Sequence, residues 1–239
     1  MRKIYRLALA TFLVVGFSGI AAAQTSNAPA SSANPQGQPG LIVVQEDVLI
    51  PLIDQPEQHF KMASRYFAKG DRNQAAAQIR VGAAMVKLEA GRHDATNKTG
   101  LDDAAKHLDD VAAGVSSGSV KSAKDLNDAF ARADMALARH YHEMAKESEA
   151  QNEHGSTGYW LQGTADSLED SAHWSGRKLA EAGNASVNGA RSLGLKLESG
   201  TQWTADEVKK SVSDLGNEID SLDGHASNTG TSSGGSASN

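Results

Sequence analysis

Beyond Ile53 the apolar residues recur at intervals of three and four, and the recurrence is cut into lengths by residues that start helices. Segments with that period can bury one face only as amphipathic α-helices, so most of the chain is committed to helices packed on helices. Four starts carry a capping pattern, a short polar residue followed three positions later by an acid or an amide. Asp54 pairs with Glu57 and has Pro56 in the first turn; Asp71 follows Gly70 and pairs with Gln74; Thr99 pairs with Asp102; Thr204 pairs with Glu207. In such a box the cap side chain accepts from an early backbone N–H, while the later side chain reaches back to the cap. Gly-Ser punctuation predicts two further starts, near Ser119 and Ser156. The helices expected are 56–69, 72–90, 101–116, 120–149, 157–198 and 205–223.

The apolar stripes fall on single faces: Ile79, Ala83, Val86 and Ala90; Leu101, Ala104, Leu108, Val111 and Val115; Leu126, Phe130, Ala133, Leu137, Tyr141 and Met144. With only 5% aromatic residues and 39% apolar residues in all, the core is built from Ala, Leu, Val and Met, which suits close helix packing better than stacked sheets. The fold predicted is an all-α antiparallel bundle of two helical hairpins and a bridging helix. One short extended N-terminal segment precedes it and a long C-terminal helical arm follows.

The ends read differently. Residues 1–23 carry Arg2, Lys3 and Arg6, an apolar run from Leu7 to Ile20, then Ala21-Ala22-Ala23 before Gln24. This is the pattern of a cleaved signal peptide. The apolar run rises only about 21 Å, short of the roughly 30 Å of a bilayer's hydrocarbon. No cysteine is present, which excludes a lipoprotein anchor, a disulfide framework and a thiol nucleophile. The expected location is therefore the periplasm or the medium, with no stable membrane insertion. Residues 24–40 are Ser, Ala, Asn, Gln, Gly and Pro, a disordered linker by composition, and residues 224–239 form a tail of the same kind. Residues 41–55 hold the β-branched run LIVVQEDVLIPLI, read as an extended segment. The helical bundle takes residues 56–200, and an amphipathic C-terminal helix residues 201–223.

Placed against the segment from His142, the segment from Phe60 matches at an offset of 82, with Met62 on Met144, Ala63 on Ala145, Ile79 on Leu161, Ala83 on Ala165 and Val86 on Leu168. Shared packing and duplication explain those matches equally well. The first hairpin, FKMASRYFAKGDRNQAAAQI, resembles the tetratricopeptide helix-turn-helix in local pattern, and is similar to the helix-Gly-Asp-helix units of YfdX-like bacterial periplasmic proteins. The resemblance implies helical hairpins in an exported protein. It brings no binding residues with it, since the 34-residue repeat and its Trp and Leu-Gly signature are absent.

From Trp174 to Gly200 five glycines (176, 183, 189, 194 and 200) interrupt the expected helix. They read either as close approach by a second helix or as fraying. Val208, Val212, Leu215, Ile219 and Leu222 then step by four and three, a narrow seam that docks on the chain's own body or serves a protein partner or self-association.

For chemistry, the eight histidines are the first candidates. His140 and His142 point about 200° apart on a helix and cannot share a metal. Positions three or four apart do converge, so the metal set considered is His140 and Glu143 with His107 and His173, Asp103 and Glu169 being further partners. The plainer reading is helix histidines bonded to their neighbours. Tyr159-Trp160 and His173-Trp174 suit either a stacked ligand or the core, and the shortage of aliphatics on that helix favours the core. Asp102-Asp103 and Asp109-Asp110 read as solvated and capping charges. No catalytic motif and no cofactor fingerprint occurs. The net charge of −6, which becomes more negative once the signal leaves, disfavours nucleic acid. The expected function is a non-enzymatic exported interaction, scaffold or stress-protective protein, the alternative being a metal- or small-ligand-binding bundle.

Overall fold

The structure, a computed structural model, describes residues 55–92 and 98–228. The expected signal peptide and linker, residues 41–54 and residues 229–239 lie outside the described residues. The described elements are all helices: α1 (Gln55–Ala68), α2 (Arg72–Arg92), α3 (Lys98–Ser117), α4 (Ala123–Ala150), α5 (His154–Trp174), α6 (Glu181–Glu198) and α7 (Ala205–Asn228). Each packs on the next, and α4 also meets α1 and α7. The predicted all-α bundle is what forms, with α4, about 42 Å long by its 28 residues, at its centre.

The stripes read from the sequence line the core. Ile79, Val86, Leu101, Leu108, Val115, Leu126 and Phe130 are fully or almost fully buried. Phe130 is the hub, stacked on Phe60 of α1 at 4.5 Å and meeting Trp174 of α5 edge-on at 5.1 Å. Phe60 reaches that position because α2 carries Gly82, where a side-chain carbon would sit 2.5 Å from the Phe60 ring.

Two of the predicted caps form as boxes or half-boxes. Gln74 N–H donates to Asp71 Oδ1 at 3.1 Å; Glu207 N–H donates to Thr204 Oγ1 at 3.2 Å, and Thr204 N–H to Glu207 Oε2 at 2.7 Å. Others move. The cap of α4 is Ser122, not Ser119, and accepts from Asp125 N–H. α3 begins at Lys98, so Thr99 lies inside the helix, and α5 begins at His154, ahead of Ser156. The largest correction concerns the single helix expected over 157–198, which is two. α5 ends in a left-handed Gly176 at φ 67°, whose N–H bonds to His173 O while Arg177 N–H bonds to Ala172 O. That paired closure terminates a helix wherever the glycine adopts it, and the sequence does not say which of five glycines will. α7 runs to Asn228, past its expected end at 223.

The offset of 82 extends far beyond the first hairpin. α2 and α5 coincide end for end under it, and Gly70 at φ 80° falls on Asn152 at φ 60°. The turn bonds Gly70 N–H to Phe67 O and Asp71 N–H to Tyr66 O recur as Asn152 to Glu149 and Glu153 to Ser148. Gly118 at φ 77° falls on Gly200 at φ 65°, and the hydroxyl pair Ser117–Ser119 at 3.1 Å on Ser199–Thr201 at 3.1 Å. The cap Ser122 falls on the cap Thr204. Packing alone does not impose identical turns and caps, so α1 to α4 and α4 to α7 are two copies of one four-helix plan that share α4.

Candidate functional site

The residues considered for a metal do not assemble. His140 is buried and faces Glu89 of α2, its Nε2 3.7 Å from Oε1, while His142 turns to α7, where its Nε2 lies 2.8 Å from Val212 O. The two rings diverge as helical geometry requires. Glu143 is held by Lys146 at 2.9 Å on the same helix. His107 is half-buried, its pKa lowered by burial and then by the neighbouring Arg132, an unfavourable setting for a cation. His173 is exposed beside Trp174, Glu169 is paired with Arg191, and Asp103 is exposed. Among the described residues no three His, Asp or Glu side chains come together to hold an ion. Side chains near in sequence are divided among α2, α6 and α7 by the packing, which helical spacing cannot reveal. Trp160 and Trp174 are core residues, Trp160 stacked on Tyr141 at 5.6 Å.

Titratable groups converge instead at a place the sequence reading passed over. Glu57 of α1, Asp134 of α4 and Asp170 of α5 line one cavity of about 10 Å³ with Pro56, Leu137, Asp166 and Ser167. That volume holds about one water molecule. Glu57 is buried; its Oε2 accepts from Trp174 Nε1–H at 2.8 Å and its Oε1 pairs with Lys61 at 2.9 Å. Asp134 is 2% exposed, and its Oδ2 has no hydrogen-bond partner. Burial, then the charges of Glu57 and Asp170, push Asp134 well above the usual carboxylate range. Asp170 is raised to about 7, first by burial and next by Glu57. Asp134 and Asp170 are raised together because ionising both beside Glu57, with burial withdrawing water from them, costs more than the single nearby Lys61 returns. One signal was legible: Asp134 stands four residues after Phe130 and three before Leu137, an acid on a buried stripe.

A second feature is open. α6 and α7 border a groove of about 580 Å³, floored by Ala182, Ala185, Ser186 and Gly189 and walled by Lys196, Glu207, Lys210 and Asp214. The seam of α7 faces the other way, into the core: Val208, Leu215, Ile219 and Leu222 are buried and Val212 packs partly against them. Of its two readings, docking on the chain's own body is the one the fold uses. No described helix is long and apolar enough to cross a membrane.

With the fold and these two features defined, the class is that of an all-α bundle built from a repeated four-helix plan. Comparison with family models, curated proteins and solved structures finds no match for the chain.

Proposed function

We propose that the chain is a non-enzymatic exported protein, a scaffold or stress-protective factor outside the cytoplasmic membrane, that works by self-association through the α6–α7 groove. The observation that carries this reading is Gly189. An interior glycine costs a helix about 1 kcal/mol relative to Ala, and a side-chain carbon there would meet nothing of the fold within 4 Å. Its missing side chain leaves room in the groove, not in the core. Small residues along a helix let a second backbone approach closely.

The occupant is a second copy of the chain. The groove walls carry two cations and two anions, Lys196 and Lys210 with Glu207 and Asp214, so a two-fold related copy sets opposite signs against each other, whereas a partner of one sign gains little. The carboxyl cluster offers less support for a rival reading, its cavity of about 10 Å³ having room for about one water molecule. Export rests on the basic, apolar and small-residue pattern of residues 1–23.

Sedimentation of the form beginning at Gln24 tests the association. The wild type is expected to sediment as a dimer, and Ala185→Trp or Gly189→Trp, which fill the groove without touching the core, as monomers. A wild type that stays monomeric at its highest soluble concentration, or filled variants that keep the dimer mass, would overturn the proposal. Intact-mass measurement of the exported chain checks the cleavage.

A further inference from the structure

The carboxyl groups of Glu57, Asp134 and Asp170 belong to residues 36 to 113 positions apart, brought to one cavity by α1, α4 and α5. Every charged group acting there can be named. From α1 come Glu57 and Lys61; from α4, Asp134; from α5, Asp166, Glu169 and Asp170. Arg191 of α6 pairs with Asp166 and Glu169, which leaves Asp170 to face Glu57. One lysine therefore stands against three carboxyl groups, and Asp134 Oδ2 is sealed without a partner.

We propose that this cluster makes α1 a proton-dependent clamp: protons held on Asp134 and Asp170, which face Glu57 across the cavity, seat α1 on α4 and α5 in mild acid, and their loss at higher pH releases α1 first. The released protons go to solvent, and no bond other than O–H breaks. α1 is the element that gives way because it is the shortest of the described helices. It has 14 residues against the 28 of α4, and its first turn is tied to α5 through the Glu57–Trp174 bond. Short helices of that length are marginal without packing. Its departure uncovers Phe60 and the facing ring of Phe130. The inference is independent of the proposed dimer, which involves α6 and α7.

The raised proton affinities of Asp134 and Asp170 support the direction. A carboxyl group whose folded pKa lies above its unfolded value binds more protons in the native state, so its contribution is present in acid. That contribution is lost as pH rises from the unfolded carboxylate range through about 7.

Amide exchange of the full chain, expressed as protection factors so that intrinsic rates cancel, reads the clamp directly. Protection of residues 55–68 is expected to fall about tenfold or more relative to α5 between about pH 5.5 and pH 8.5, the range flanking that titration. The double variant Asp134→Asn, Asp170→Asn is expected to abolish that fall. Glu57→Gln, which keeps an acceptor for Trp174, is a milder second variant expected to reduce it. A wild-type protection ratio that stays flat with pH would overturn the clamp, as would a fall that persists undiminished in Glu57→Gln and in the double variant.

Discussion

At the scale of single residues, Phe130 shows how much of the packing rests on few side chains. In a chain this poor in aromatics it touches Phe60 and Trp174 and so ties α1, α4 and α5 at one point. Phe130→Ala is expected to cost about 3 to 5 kcal/mol, read as a lowered denaturation midpoint, because the two rings around it belong to two other helices and cannot both collapse into the gap. Asp134 sits one turn further along the same stripe with the opposite character. Its place was legible as an anomaly, a charge among buried positions, but its partners were not, since Glu57 reads as the acid of a helix cap and Asp170 carries no mark that sets it apart from the other acids in the sequence.

At the scale of elements, the glycines that left two readings open divide by what surrounds them. Gly176 and Gly200 close helices in left-handed geometry. Gly158 and Gly194 bring α5 and α6 into backbone contact, since a side-chain carbon on either would lie 2.6 Å from the other's carbonyl oxygen. In the first copy the same positions are Ala76 and Ala112, both fully buried, so the α5–α6 crossing is the tighter version of an approach that alanine already permits. Gly194→Val is expected to destabilise by about 1 to 3 kcal/mol, because the atom it would strike is backbone and cannot turn aside. Thermal unfolding compared, at a concentration where both chains are monomeric, with Gly189→Val, whose extra atoms point into open groove, isolates that clash from the cost of a β-branched residue. Glycine's presence was plain in the sequence, whereas its purpose depended on whether a carbonyl or solvent lay opposite.

At the scale of the molecule, α4 is used twice. Its second half answers to α1, and its whole length answers to α7, so each copy completes its core with a helix of the other. The seam of α7 consequently covers α4, α5 and α6 from outside. Deleting residues 205–239 is expected to lower the denaturation midpoint and to produce binding of a hydrophobic dye, because Val208, Leu215, Ile219 and Leu222 leave apolar partners behind. A truncated chain with an unchanged midpoint and no dye response would mean that the seam contributes no packing.

Helix content, the core stripes and the Thr204 box are local properties. The period of three and four, the helix caps and the scarcity of aromatics act within a few turns of chain, and any compact arrangement must satisfy them. The offset of 82 was visible as matching small residues, yet it became a shared plan only when the left-handed turns and their hydroxyl bonds fell into correspondence. Where one helix ends among five glycines, which face of α7 meets the body and which acids share a cavity are matters of what lies across the interface. Those contacts join residues tens of positions apart, so their energies belong to the packed structure and leave no period in the chain that makes them.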